Sequence, residues 1–251
     1  MGYDIMVRQA WKKPMSEAYY LHLTDRLREL LSDPEAFEEG RLPAERTLAE
    51  RFKTTRVTLR QALAQLEGEG RIHRSNRRGW FVSPARLDYD PTRDAGFNDY
   101  VRAQGRRPRT EVRLTDTWPH PPAAEALGLP ADQPFFHIRR RRFVDDRAVL
   151  SESLWVVPER APGLLEGDYA SHSLWGELRS RWGLILAHRS LRLYSEALPE
   201  RVAAELGVAA GTAGLSVRRA IFDERGRPVE YDEEHWLHDA LCITVELDGK
   251  A

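Results

Sequence analysis

A chain of 251 residues, 41% of them apolar and seven of them Trp, has the length for one large domain or two ordinary ones and the side chains to fill real cores, which excludes a disordered protein. Lys plus Arg (38) nearly balance Asp plus Glu (39), but residues 41–84 hold ten basic against four acidic residues, about +6, and residues 85–251 hold 23 against 27, about −4, so the first part suits a phosphate backbone and the remainder something else. One cysteine, Cys242, excludes an internal disulfide or a cysteine metal cluster, and the lack of an apolar signal core or of a run near about 18 apolar residues points to a cytoplasmic protein with no membrane partner.

Residues 1–14 are patternless. From Met15 to Leu31, Tyr20, Leu23, Leu27, Leu30 and Leu31 recur at three- and four-residue steps and predict an amphipathic helix that stops at Ser32-Asp33-Pro34. A loop through Glu39-Gly40 leads to Leu42-Pro43-Ala44-Glu45 and a short second helix carrying Leu48, Ala49 and Phe52. After a tight connection near Lys53-Thr54, the stretch Thr54–Gly70 predicts a third helix. Its first turns carry Thr55, Arg56, Thr58 and Arg60, and Leu59, Leu63 and Leu66 supply its apolar side. Two short helices around a small turn make a helix-turn-helix, whose second helix can place Arg and Thr against base edges and phosphates. Arg71–Arg74 and Gly79–Val82 then predict a hairpin with a basic tip, a wing, in which Gly79 allows close approach to DNA.

The run LPAERTLAERFKTTRVTLRQALAQLEGEGRIHRSNRRGWFVSP resembles the winged helix-turn-helix of the GntR family of bacterial transcription regulators along its whole length. The resemblance implies DNA contacts at Arg46, Thr55, Arg56, Thr58, Arg60 and Gly79, to which the charge of the tip adds Arg77 and Arg78. A solvated helix face is the plain alternative for Arg56 and Arg60 taken alone; the wing, the local charge and the family pattern agree against it. Ala44 stands where a capping Ser is usual and Lys53 where the turn usually has Gly.

Ser83–Thr92, with two prolines and two aspartates, interrupts both periodicities and predicts a boundary: a DNA-binding domain over 15–83, a linker over 84–94 and a second domain over 95–251. Strand-like runs at 110–117, 135–144, 148–157, 184–194, 214–223 and 229–236 alternate with short helices, which makes the second domain α+β. Residues 123–155 repeat at 203–236, offset by about 79, each copy a short helix, a turn, an Arg-bearing strand, a tight turn and an acidic strand. A ligand site between equivalent strands follows from such pseudo-symmetry. Strand alternation puts Arg140 and Arg142 on one face and Arg139 and Arg141 on the other. Grouped arginines suit a phosphate, phosphonate or carboxylate, whereas Glu152 and Glu230 could hold an amine, a hydroxyl or the arginines themselves. A surface strand with ion pairs is the alternative.

From Phe97 onward, FNDYVRAQGRRP, ALGLPADQPFFHIRRRRF, PGLLEGDYASHSLWGEL, AAELGVAAGT and DERGRPVEY are similar to the UTRA effector-binding domain of the HutC branch of that family, which implies a chorismate-lyase-like α+β fold. Ligand contacts are then implied at Arg140, Arg142, Glu152, Ser173 and Glu230, with Asn98 and Trp236 as further candidates. Within the branch, RRGWFVSPARLDYDPT and EEHWLHDALCITVEL look most like regulators of phosphonate utilisation that respond to 2-aminoethylphosphonate. The expectation is therefore a cytoplasmic homodimer that binds double-stranded operator DNA under control of a small anionic effector, without a cofactor or metal and without enzyme activity. Two alternatives are a response to a sugar phosphate or amino-acid catabolite, and a retained lyase-like or hydrolytic activity, against which stands the absence of HExxH, P-loop and dinucleotide motifs. His172 beside Ser173 is a weak signal of chemistry.

Overall fold

The computed structural model describes residues 15–33, 37–75, 78–93 and 96–246, and they form two compact units that divide after Ser83. In the first unit the helical periodicities become α1 (Met15–Leu31), α2 (Glu45–Arg51) and α3 (Arg56–Gly68), followed by the hairpin strands β1 (Ile72–Ser75) and β2 (Gly79–Val82). Leu23 and Leu27 of α1, Leu48 of α2, Leu59, Leu63 and Leu66 of α3, and Ile72 and Trp80 of the hairpin close on one core. Arg28 donates to both carboxylate oxygens of Glu69, which ties α1 to the end of α3.

Both departures from the family pattern have local consequences. Lys53 adopts the left-handed conformation at φ 50°, which is why a glycine is usual there: any side chain is strained in that region. Ala44 is the N-cap of α2 and offers no side-chain acceptor to the first turn. Thr55 does cap α3, its hydroxyl accepting from the Thr58 amide at 3.2 Å.

The second unit continues with β3 (Leu87–Tyr89), α4 (Phe97–Ala103), β4 (Pro108–Pro119), α5 (Pro121–Leu127), β5 (Pro134–Val144), β6 (Arg147–Val156), α6 (Leu174–Trp182), β7 (Leu186–Ala197), α7 (Glu200–Leu206) and β8 (Ala213–Asp223). They are followed by β9 (Pro228–Leu237) and β10 (Leu241–Ile243). Six strands form an antiparallel sheet in the order β4-β5-β6-β9-β8-β7. The repeat is larger than the sequence reveals: α4-β4-α5-β5-β6 recurs as α6-β7-α7-β8-β9, with a pseudo-two-fold axis where β6 meets β9. α5 packs on one face against Phe135, Trp155, Ala220 and Tyr231. α6 packs on the other, against Ile138, Leu154 and Val156.

The segment expected as a linker is in part a strand. β3 pairs in parallel with β10 through Leu87↔Leu241, Cys242 opposite Asp88 and Ile243 opposite Tyr89, and Leu87 is buried in the core with Phe97, Leu150 and Trp236. Three residues are too few for their periodicity to be read in sequence, and β3's partner lies near the other end of the chain. No helix among the described residues is long and apolar enough to cross a membrane.

A serine at position 44 supplies the missing cap. Ala44→Ser is expected to raise the stability of the first unit by about 0.5–1 kcal/mol, read by urea unfolding; no gain would mean that the α2 N-terminus is already satisfied by other groups.

Candidate functional site

In the first unit the residues expected to meet DNA lie on α2, the start of α3 and the wing. Arg56 is exposed at the first position of α3. Arg60, one turn on, donates through Nε to Glu45 Oε2 at 2.7 Å while remaining 66% exposed. Glu45 also accepts from Trp80 Nε1 at 3.2 Å, so one carboxylate orients the helix arginine and anchors the wing. Burial works against ionised Glu45, but the bonds from Arg60 and Trp80 outweigh it and lower its pKa. Arg46 sits exposed 3.5 Å from Glu50. Thr55 and Thr58 share a hydroxyl contact of 3.0 Å. At the wing, Gly79 takes φ 102°, where a side chain would be strained, and the Arg78 guanidinium lies 5.3 Å over the Phe81 ring. Arg77 falls outside the described residues. Sequence reasoning missed Arg41 and Arg74, which line one groove with Arg60, Arg78 and Gly79; the excess of basic residues over 41–84 was the available signal.

In the second unit, a cavity of about 50 Å³ opens on the α6 side of the sheet, lined among others by Arg140, Arg142, Glu152, Ser173, Trp175 and Arg219. Strand register builds it. Arg140 stands opposite Glu152 across β5–β6, and Arg219 opposite Asp232 across β8–β9, so the pseudo-two-fold places an arginine–carboxylate pair on each side. Glu152 accepts from Arg140 Nε at 2.6 Å and from Arg142 Nε at 3.0 Å. Arg219 donates to Asp232 and Glu234, each at 2.8 Å. Ser173 caps α6 at the rim, and a Cβ added to Gly96, the cap of α4, would lie 2.9 Å from its hydroxyl. The two related helices therefore begin at the same place.

Not every expected residue is at the wall. Glu230 lies beside it, fully buried, accepting from Trp175 Nε1 at 2.8 Å. Trp236 is outside the lining: its Nε1 donates to Glu234 at 2.7 Å and its ring packs 6.2 Å from Phe97. Asn98 is also outside, with a buried Oδ1. Sequence reasoning missed Arg219, Asp232, Glu234, Tyr89, Tyr100 and Trp175 in this region. The repeat offset of 79 carries Arg140 onto Arg219, so that residue was within reach; Tyr89 and Tyr100 come from elements outside the recognised repeat.

The electrostatics are those of charges withheld from water. Burial alone would raise Glu152, but Arg140 and Arg142 outweigh it and hold the carboxyl down at about 2. Burial pushes Glu230 up to about 7, against the bond from Trp175 and with the charge of Glu152 adding to the rise. Asp232 is raised by burial and by the neighbouring carboxylates, against the pull of Arg219. Four polar atoms at or beside the cavity are buried without a hydrogen-bond partner: Arg140 Nη1, Arg219 Nε, Asp232 Oδ1 and Glu230 Oε1. A ligand that offers acceptors to the two arginines and donors to the two carboxyl oxygens would satisfy them. No cluster among the described residues has the makeup of a metal site.

Residues 19–82 match the family model described as bacterial regulatory proteins, gntR family, and residues 103–241 match that of the UTRA domain. Among curated proteins, the chain is 29% identical over 213 residues to the uncharacterized HTH-type transcriptional regulator YihL of Escherichia coli K12, covering 83% of this chain and 89% of YihL. It is 30% identical over 210 residues to the HTH-type transcriptional repressor PhnF of Mycolicibacterium smegmatis, covering 83% and 84%. The crystal structure of PhnF from Mycobacterium smegmatis superposes with a TM-score of 0.64 at 25% identity, over 90% of this chain and 99% of that one.

Glu230 supplies a pH test. Its folded-state value of about 7 lies above the ordinary carboxylate value of about 4.3. The stability tied to its protonated form is thus fully present below that ordinary value and lost as pH rises through the folded one. Glu230→Gln keeps an acceptor for Trp175 and cannot ionise. Its thermal midpoint is expected to gain on the wild type as pH rises from about 5 to about 8, and a constant difference over that range would reject the raised value.

Proposed function

The chain belongs to the GntR family with a UTRA domain of the HutC type and is a DNA-binding transcription regulator, and from that premise we propose that it is a homodimeric cytoplasmic repressor released by a compact zwitterion such as 2-aminoethylphosphonate. The observation that carries the ligand reading is the set of four buried, unpartnered atoms. Arg140 Nη1 and Arg219 Nε ask for an anion and Asp232 Oδ1 asks for a donor at one small cavity, and Glu230 Oε1 asks for a donor beside it. Phosphonate oxygens suit the guanidinium through charge-assisted bonds, and an ammonium group suits the carboxylates. The relatives described above are named as regulators, and the relative named a repressor supports that sign of control.

On the DNA side the reading assigns base contacts to Arg56 and Arg60, support to Thr55 and Thr58, and phosphate or minor-groove contacts to Arg46, Arg77, Arg78 and Gly79. Two copies would read two half-sites related by the symmetry of the dimer. Arg60 must exchange its bond to Glu45 for a base edge, whereas Arg56 carries no ion pair among the described residues and is ready to do so.

Arg56→Ala is expected to weaken specific operator binding by about 1–3 kcal/mol with little change in thermal midpoint; unaltered binding in an anisotropy titration would refute the assignment. For the effector, 2-aminoethylphosphonate is expected to raise the thermal midpoint of the full chain and to release operator DNA. Arg140→Ala should remove both responses while DNA binding stays, since Glu152 keeps its bonds to Arg142. A response to glucosamine 6-phosphate instead would keep the anion site and discard the phosphonate, and a response retained in Arg140→Ala would discard the cavity.

A further inference from the structure

The two charged halves of the cavity are bridged by aromatic rings carried on α4 and β3 rather than on the charged strands. The Arg142 guanidinium lies 4.8 Å over Phe97. Phe97 meets Tyr100 edge-on at 5.6 Å, and Tyr100 meets Tyr89 at 5.4 Å. Tyr89 closes the bridge on Arg219, with the guanidinium 5.7 Å from the ring and Nη2 bonded to the phenolic oxygen at 2.8 Å. Phe97 and Tyr100 stand on α4. Tyr89 stands on β3, the strand that follows directly on the end of the first unit at Ser83.

That strand is held by bonds a small change could loosen. β3 is three residues long. Its backbone is clasped by Gln104, whose side chain accepts from the Asp88 amide and donates to the Asp88 carbonyl, each at 2.9 Å. The Ala240 carbonyl accepts from the Leu87 amide at 2.9 Å, and the Tyr89 carbonyl accepts from the Thr244 amide at 3.0 Å. The Leu87 side chain is buried, whereas Tyr89 packs only partly buried against the same core. Of the side chains on β3, Tyr89 is the one that lines the cavity.

We propose that Tyr89 is the coupling residue of the effector site: its hydroxyl accepts from Arg219, and a ligand that draws Arg219 toward itself removes that bond and frees β3, and with it the connection to the DNA-binding unit. This deepens the effector reading above and rests on it for the identity of the ligand, but not for the bond between the cavity and the strand. A ligand shifts an equilibrium only through contacts that differ between the two states, and Arg219 is a group that can bond either the ligand or β3. Tyr100 lines the same cavity without a bond to Arg219 and serves as the control.

The test is amide hydrogen exchange on the ligand-free full chain, followed over residues 85–90 in wild type, Tyr89→Phe, Arg219→Lys and Tyr100→Phe. Tyr89→Phe deletes one hydroxyl and keeps the ring. Arg219→Lys keeps the charge for Asp232 and Glu234 and loses the second donor arm. Both are expected to speed exchange in 85–90 several-fold with the central strands β6 and β9 unchanged, and Tyr100→Phe to leave 85–90 as in the wild type. Unchanged exchange in Tyr89→Phe would overturn the proposal, and so would an equal rise in Tyr100→Phe. A second arm uses 2-aminoethylphosphonate as the probe. The wild-type ratio of operator affinities without and with it, expected within the typical coupling range of about 5–150-fold, should fall toward unity in Tyr89→Phe while the probe still binds by calorimetry. A ratio that persists overturns the coupling role. A probe that fails to bind the wild type speaks against the phosphonate reading, and the exchange result then decides the role of Tyr89.

Discussion

The second unit is organised around one constraint: a guanidinium removed from water must keep a carboxylate within hydrogen-bonding distance. Isolated burial of either charge costs several kcal/mol in a protein interior. Arg140 and Arg142 meet this by sharing Glu152, and Arg219 meets it by engaging both Asp232 and Glu234. Antiparallel register puts Arg140 directly opposite Glu152 and Arg219 directly opposite Asp232, so the sheet's hydrogen bonding and these buried ion pairs specify the same alignment. A one-residue slip would turn every one of these charges to the other face. The arrangement leaves a residue of unmet bonding capacity in a small space, and that residue is what the proposed ligand would use.

Duplication explains how such a site arises and why it is not symmetric. Arg140 and Glu152 in the first copy correspond to Arg219 and Asp232 in the second. Where the first strand has Leu150 and Leu154, the second has Glu230 and Glu234, and where the first has Arg142, the second has Ile221. The first half therefore carries the surplus of guanidinium and the second the surplus of carboxylate. A polarised cavity suits a ligand with opposite charges at its two ends.

Much of this was legible in the amino-acid order. The three helices and the wing of the first unit follow from apolar spacing, and the six long strands lie within a few residues of where alternation put them, because long periodic segments carry their own signal. The pairing of Arg140 and Arg142 on one face followed from alternation alone. Less legible were the parts that depend on distant partners. β3 is a strand only because β10 is beside it; Tyr89 touches Arg219 across 130 positions of sequence. The helical half of the repeat was hidden because α4 and α6 share almost no residues. Trp236 read as a ligand contact, yet its indole nitrogen is used by Glu234, a bond no spacing rule could reveal.

A crystal structure of the full chain grown with 2-aminoethylphosphonate would show whether a ligand with an anionic and a cationic end completes the bonding of this cavity. The phosphonate is expected against Arg140 Nη1 and the ammonium toward Asp232 and Glu230. A ligand bound elsewhere on the chain, or one lying in the cavity with its ammonium turned away from both carboxylates, would contradict it.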